Sequence, residues 1–308
     1  MNKPLFNHAA QTMRNGSKSF DAAARLFDPE TRRSVLMLYT WCHHCDDVID
    51  NQIAGFASGA ESRLDPARQL EQLRESTRQV YQGMAQSDPA FAALQEVTAR
   101  HHIPEKWPLE HLEGFAMDVR GEAYATIDDT LRYCYYVAGV VGLMMAHIMG
   151  VRDEKVLDRA CDLGLAFQLT NIARDVIEDA GAGRCYLPAH WLAQEGLEME
   201  TYFLPEHRPA LSRVVQRLLN TAEPYYASAL AGLPALPLRS RWAIATARDV
   251  YRAIGIKVSH AGTRAWDTRQ HTSKPEKIAL LLKGAGRAAM APVARPSARP
   301  TALWQRPL

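Results

Sequence analysis

The sequence predicts an all-α protein, a single helical domain enclosing an apolar cavity with an acidic mouth. Apolar residues recur at helical spacing along most of the 308 residues, and no alternating strand pattern of useful length interrupts them. The longest apolar run, VAGVVGLMMAHIMGV at 137–151, falls short of the roughly 20 residues that span a bilayer and includes His147, so it reads as a buried core helix. Two acidic stripes, around Asp46 and Asp175, are set in otherwise apolar helices.

The elements follow from local signals. Asp28-Pro29-Glu30 is a helix start, with Asp28 as cap and Pro29 in the first turn, and its helix should cover 29–51. Gly, Ser and Pro make 55–66 a loop, and amphipathic helices should follow over 67–82 and 89–102. A helix over 109–119 precedes an apolar one over 130–150, capped near Asp128 or Asp129. A long helix over 154–179 closes at Gly181 and Gly183. Further helices are expected over 209–230, 238–255 and 275–283, with LPALP at 233–237 as a turn. From Gly284 onward the chain is rich in Ala, Pro and Arg and has no acidic residue, so the expectation is a domain over 1–283 and a disordered, basic tail over 284–308.

Composition excludes some functions. Hydrophobic residues make up 47% and charged residues 23%, ordinary for a protein with a sizeable core, and a net charge of +2 argues against a nucleic-acid partner. Residues 1–10 lack the apolar core of a signal peptide, so the five cysteines are expected as reduced thiols in a cytoplasmic protein.

The stripes carry the chemistry. On a helix of 3.6 residues per turn, Tyr39, His43, Asp46 and Asp50 share one face, and so do Gln168, Asn171, Asp175 and Asp179. Like charges four residues apart cost a helix about 0.2–0.5 kcal/mol, so each stripe favours a cation. A single acidic run is more often a solvated helix end, but two runs with matched apolar settings argue for a shared site. Carboxylate and amide oxygens suit Mg²⁺, with Mn²⁺ as an alternative, and such an ion would bridge the helices and a substrate diphosphate.

At these residues the chain resembles the squalene and phytoene synthase family. The two aspartate-rich motifs match Asp46-Asp47-Val48-Ile49-Asp50 and Asn171-Ile172-Ala173-Arg174-Asp175-Val176-Ile177-Glu178-Asp179. Gly16-Ser17-Lys18-Ser19-Phe20, Tyr133-Cys134-Tyr135-Tyr136-Val137-Ala138-Gly139 and Gly183-Arg184-Cys185-Tyr186-Leu187-Pro188 agree as well. The resemblance implies an isoprenoid-synthase-type bundle. It assigns Asp46, Asp50, Asn171, Asp175 and Asp179 to the metal–diphosphate clusters. Ser17, Lys18, Ser19, Arg174, Arg184 and Tyr186 would grip diphosphate, Gln168 would lie beside the reacting carbons, and Tyr39, Tyr133 and Tyr251 would line the polar end. The implied reaction joins two geranylgeranyl diphosphates head to head, as in bacterial phytoene synthases of carotenoid pathways. Farnesyl diphosphate condensation to dehydrosqualene or squalene, or a non-catalytic prenyl-diphosphate binder or scaffold, are the alternatives. Because the substrate tails and the product are lipid-soluble, peripheral membrane contact is expected, and association with downstream carotenoid enzymes fits the same reading.

One position departs from the family. His43 stands where Arg is usual, and an imidazole, with an ordinary pKa near 6.5, replaces a permanent forked donor. His43 should therefore weaken diphosphate binding. Cys42-His43-His44-Cys45 is not a zinc site, because a helix spreads the four around its circumference. His101, His102 and His111 are expected at the surface. Asp118 could be a buried acid paired with Arg120 or a cavity residue, and Gly139 and Gly142 could serve close packing or leave room for a prenyl chain. With no glycine-rich phosphate loop and no dinucleotide fingerprint, no nicotinamide is expected.

Overall fold

The computed structural model describes residues 3–49, 65–293 and 297–307, without the side chains of Lys18 and Ser19. Among the described residues there are thirteen α-helices and no strand. They are α1 (Lys3–Gly16), α2 (Lys18–Ala24), α3 (Pro29–Ile49), α4 (Pro66–Tyr81), α5 (Pro89–His101), α6 (Lys106–Val119), α7 (Ile127–Cys134), α8 (Val140–Ile148), α9 (Glu154–Gly181), α10 (Ala189–Gln194), α11 (Arg208–Leu230), α12 (Leu238–Ala261) and α13 (Lys274–Met290). The helices anticipated from periodicity all form, with ends shifted by a few residues. Helices α1, α2 and α10 have no sequence-level counterpart. The first has only a narrow buried stripe of Leu5, Ala9 and Met13, and the other two span 7 and 6 residues, too short for periodicity to register. The end of the helix expected over 29–51 and most of the loop expected over 55–66 lie outside the described residues.

The central element is α9, 28 residues long, flanked by α8, α11 and α12. Asp153 caps it by accepting from Lys155 N at 2.8 Å. Small residues set its spacing. A Cβ on Gly164 would lie 2.3 Å from Ala138 O, and one on Gly142 would lie 2.4 Å from Ala160 O, so each glycine is fixed by close backbone approach. Gly139 is likewise packed against Leu165 and Cys161, and close packing accounts for both glycines of this helix.

The apolar helix expected over 130–150 is broken by a π-turn at Tyr135–Gly139 between α7 and α8. A π-turn strands a carbonyl. Here Tyr136 O lies 3.2 Å from Nδ1 of His111, which is buried rather than at the surface as expected. His101 is half-buried, 2.8 Å from Ser34 Oγ, a second departure from the surface expectation, whereas His102 is exposed at the end of α5 with φ 54°. Ile127–Ile148 is long and apolar enough to cross a membrane by length and composition, but 61% of its most apolar window is buried inside the bundle. All five cysteines are free thiols.

The chain beyond Gly284 departs from expectation. Helix α13 continues to Met290, and 297–307 folds back across α9. Arg299 makes a two-pronged pair with the fully buried Asp162 (2.9 and 2.7 Å). Arg306 pairs with Asp158 at 2.7 Å and with Glu154, and Trp304 N donates to Tyr225 Oη at 3.0 Å. Basic composition suggested disorder because its partners, acids on α9, are about 140 residues away in sequence. Removing one member of a buried pair typically costs about 3–5 kcal/mol. Arg299→Ala should therefore lower the urea-unfolding free energy by about that amount, and a loss below about 1 kcal/mol would show that the segment does not secure the fold.

Candidate active site

Helices α3 and α9 face each other across a cavity of about 820 Å³. Tyr39, His43 and Asp46 line it from α3, and Gln168, Asn171, Asp175 and Asp179 from α9, so the two stripes border one cavity. Asp50 lies outside the described residues. Toward its other end α9 presents Val156, Ala160, Leu163 and Phe167 to the same space, with Arg159 beside them, so the cavity is acidic at one end and largely apolar beyond it.

The polar end is electrostatically crowded. Arg174 forks onto Asp175, with Nε 2.7 Å from Oδ1, and Arg269 donates to Asp175 Oδ2 at 3.0 Å. Burial, then repulsion from Asp175, pushes the Asp179 carboxyl up to about 7, with Arg184 opposing the rise. Gly183, at φ 74°, makes the turn that returns Arg184 to the mouth, and Arg184 N donates to Asp179 O at 2.9 Å. Asp118 is a cavity residue: it accepts from Tyr133 Oη at 3.2 Å and Tyr186 Oη at 3.0 Å, while Arg120 pairs with Glu113 and Glu122 instead. Tyr133 and Tyr186 are stacked 4.4 Å apart, and burial raises both phenols above the ordinary range, so they stay protonated as donors.

The remaining expected residues are placed differently. Ser17 Oγ accepts from Phe20 N at 3.2 Å as the cap of α2, beside the cavity-lining Gly16 and Phe20. The side chains of Lys18 and Ser19 lie outside the described residues. Tyr251 stands behind the wall, stacked on Phe20 at 5.1 Å and tilted against Phe167 at 4.3 Å, both of which line the cavity. His43 Nδ1 is 3.4 Å from Asp47 Oδ1. Two contributors were missed from sequence. Arg269 sits between helices with no pattern around it, and Asp47 belongs to the acidic run but lies off the face counted from Asp46.

The donor set fits a hard cation. Asn171 Nδ2 donates to Gln168 Oε1 at 3.2 Å, whereas Asn171 Oδ1 is buried without a hydrogen-bond partner. A buried acceptor left open beside carboxylates is satisfied by a cation that prefers oxygen. Ligand atoms of His43, Asp46 and Asp47 also lie within 4.8 Å of one another.

Comparisons with known proteins identify relatives of this chain. A profile of the family described as squalene/phytoene synthase matches residues 13–276. The chain is 62% identical over 305 residues to a phytoene synthase of Pseudescherichia vulneris, covering 99% of each chain. It is 62% identical over 309 residues to a 15-cis-phytoene synthase of Pantoea ananas, covering both chains fully. Among solved structures, a dehydrosqualene synthase in complex with ligand superposes with a TM-score of 0.82 at 27% identity, covering 92% of this chain and 96% of that one.

The raised Asp179 carboxyl makes a pH prediction for the metal-free protein. Its folded pKa, about 7, lies above the unfolded value of 3.8, so its contribution to stability is fully present below pH 3.8 and lost as pH rises through 7. Asp179→Asn removes that loss. In excess chelator the variant should exceed the parent by about 1–3 kcal/mol in urea unfolding at pH 8 and converge with it toward pH 4. An unchanged pH dependence would contradict the burial and repulsion assigned to this group.

Proposed function

The chain belongs to the squalene/phytoene synthase family, and the function we infer from that membership is phytoene synthesis. Two geranylgeranyl diphosphates are joined head to head, through prephytoene diphosphate, to phytoene with release of diphosphate, the entry step of carotenoid biosynthesis. The observation that carries this reading is 62% identity over full length to proteins named phytoene synthase, together with two acidic stripes on one cavity.

The residues divide the work as follows. Asp46, Asn171, Asp175 and Asp179, with Asp50 outside the described residues, would hold Mg²⁺ or Mn²⁺ at the mouth. Bound there, such an ion would supply neutralising charge to a diphosphate leaving group. Arg174 and Arg269 are engaged with Asp175; a bound diphosphate offers both guanidiniums oxygen acceptors and leaves that carboxylate for the cation. Arg184 is the donor from the other side, beside Tyr133 and Tyr186, whose hydroxyl protons are held by Asp118. The faces of Phe20, Phe167 and Tyr39 border the cavity, where aromatic quadrupoles favour a carbocation and apolar walls exclude water. Gln168 stands at the boundary between polar and apolar ends, where the reacting carbons belong. Ser17, Lys18 and Ser19 contribute from the start of α2, and Tyr251 supports the wall from behind. No reductant enters the reaction. The lipid-soluble tails and product make peripheral membrane contact part of this reading.

Condensation of farnesyl diphosphate is less well supported, since the dehydrosqualene synthase matched is only 27% identical. Purified protein incubated with labelled geranylgeranyl diphosphate and Mg²⁺, without nicotinamide, should yield a forty-carbon hydrocarbon that disappears with chelator. A thirty-carbon product made only from farnesyl diphosphate would overturn the substrate assignment. Asp175→Asn should abolish turnover with helicity retained, and full activity would remove Asp175 from the site. His43→Arg adds a permanent, forked charge and should lower KM for the diphosphate about three- to tenfold, a change of about 0.7–1.4 kcal/mol. An unchanged KM would show that His43 does not face the diphosphate.

A further inference from the structure

Most of the large exposed apolar side chains of the described residues gather on one face. Ile278 (63% exposed), Leu282 (66%) and Met290 (64%) lie on α13, Val293 (73%) follows it, and Leu238 (63%) begins the neighbouring α12. At 100° per residue, Ile278, Leu282, Gly286, Ala289 and Met290 occupy a sector of about 120°. Lys274 and Lys283 border that sector on its two sides. The opposite face is packed: a Cβ on Gly284 would lie 2.3 Å from Thr246 Oγ1, Ala288 is buried, and Trp242 Nε1 donates to Leu281 O at 2.9 Å. Helix α13 is thus apolar on both sides, and only one side is covered. Helices α12 and α13 run antiparallel, with Arg241 Nη1 reaching Ala288 O at 3.0 Å, so the exposed Leu238 at the start of α12 lies near the end of α13.

The outer face has a definite charge. Residues 274–293 carry Lys274, Lys277, Lys283 and Arg287 against the single acid Glu276; Arg287 is paired with Asp249 at 2.9 Å on the packed side and Glu276 with Lys257 at 2.7 Å, so Lys274 and Lys283 set the charge beside the apolar sector. Its position also matters. The inner side of α12 lines the apolar part of the cavity through Ala243, Ile244 and Ala247, so one helix separates this patch from the space for hydrocarbon.

We propose that the outer face of α13, with Leu238 and Val293, docks on an anionic lipid bilayer, its apolar stripe entering the headgroup boundary while Lys274 and Lys283 meet lipid phosphates. Large apolar patches rimmed by cations mark such surfaces, and an amphipathic helix of this kind lies in the plane of the interface. The inference rests on the function proposed above, because a hydrocarbon product gives the protein a reason to sit on lipid, and it names the surface responsible.

Flotation of the full chain with phosphatidylglycerol-containing and with pure phosphatidylcholine vesicles tests it, scored independently of turnover. The parent should float with anionic vesicles, and Ile278→Asp/Leu282→Asp should reduce the bound fraction at least tenfold. Turnover of detergent-dispersed substrate by the variant should stay within twofold of the parent. A second variant, Lys274→Glu/Lys283→Glu, leaves the apolar stripe intact and should lose most of the preference for anionic vesicles. Failure of the parent to float, or undiminished flotation of both variants, overturns the proposal. So does a parent dimer that the aspartate variant splits while flotation persists, since a second copy would then cover the face. A parent that floats through α13 without making hydrocarbon would sink the catalytic reading and leave the surface standing.

Discussion

Mutual repulsion among carboxylates in a poorly solvated mouth is the constraint around which this protein is organised. Asp175 and Asp179 are one helical turn apart on a largely buried helix, Asp46 faces them from α3, and Asp118 approaches from α6. Burial and the neighbouring Asp175 hold the Asp179 carboxyl well above the ordinary carboxylate range. The fold answers locally with Arg174 and Arg269 on Asp175, Arg184 opposite Asp179, and two protonated tyrosines on Asp118. Asn171 Oδ1 stays buried without a hydrogen-bond partner, an acceptor suited to a cation.

The same helix that concentrates charge also supplies the apolar chamber. Residues Val156 to Asp179 of α9 all belong to one regular helix, and at 1.5 Å per residue they extend for about 35 Å. A hydrocarbon chain can therefore be held along one wall while its diphosphate stays at the other end. Close glycine contacts between α9 and the helix beside it keep that wall straight and dry. At the far end a buried polar network, Arg159 to Ser228 to Asp162 to Arg299, ties the C-terminal segment across the base of the chamber. The segment 297–307, which composition assigns to a loose tail, lies over α9, and α13 packs on α12 for seven residues beyond the helix expected at 275–283.

Much was legible before any coordinates. Caps, periodicity and apolar content located the long helices, because those signals are local. Steps of three and four residues between Tyr39, His43 and Asp46 and between Gln168, Asn171, Asp175 and Asp179 placed each set on one face, which follows from helical geometry alone. That both faces share a cavity was an inference from matched apolar settings, and the fold bears it out. Arg269 escaped notice because it approaches Asp175 from 94 positions away without a pattern of its own. His111 was placed at the surface because the stranded Tyr136 carbonyl that holds it belongs to a π-turn, and an insertion of that kind leaves no mark in apolar periodicity.

By itself, the sequence determined the helical class, the two acidic stripes and the departure at His43, since each depends on residues within a few turns of one another. Only the tertiary structure decided which cations meet which carboxylates, that Asp118 serves the mouth through Tyr133 and Tyr186, and that the basic C-terminus is ordered by acids on α9. Those outcomes depend on pairs separated by tens to more than a hundred residues. Ion pairing across such separations is selected by packing of the whole chain, and no local spacing encodes it.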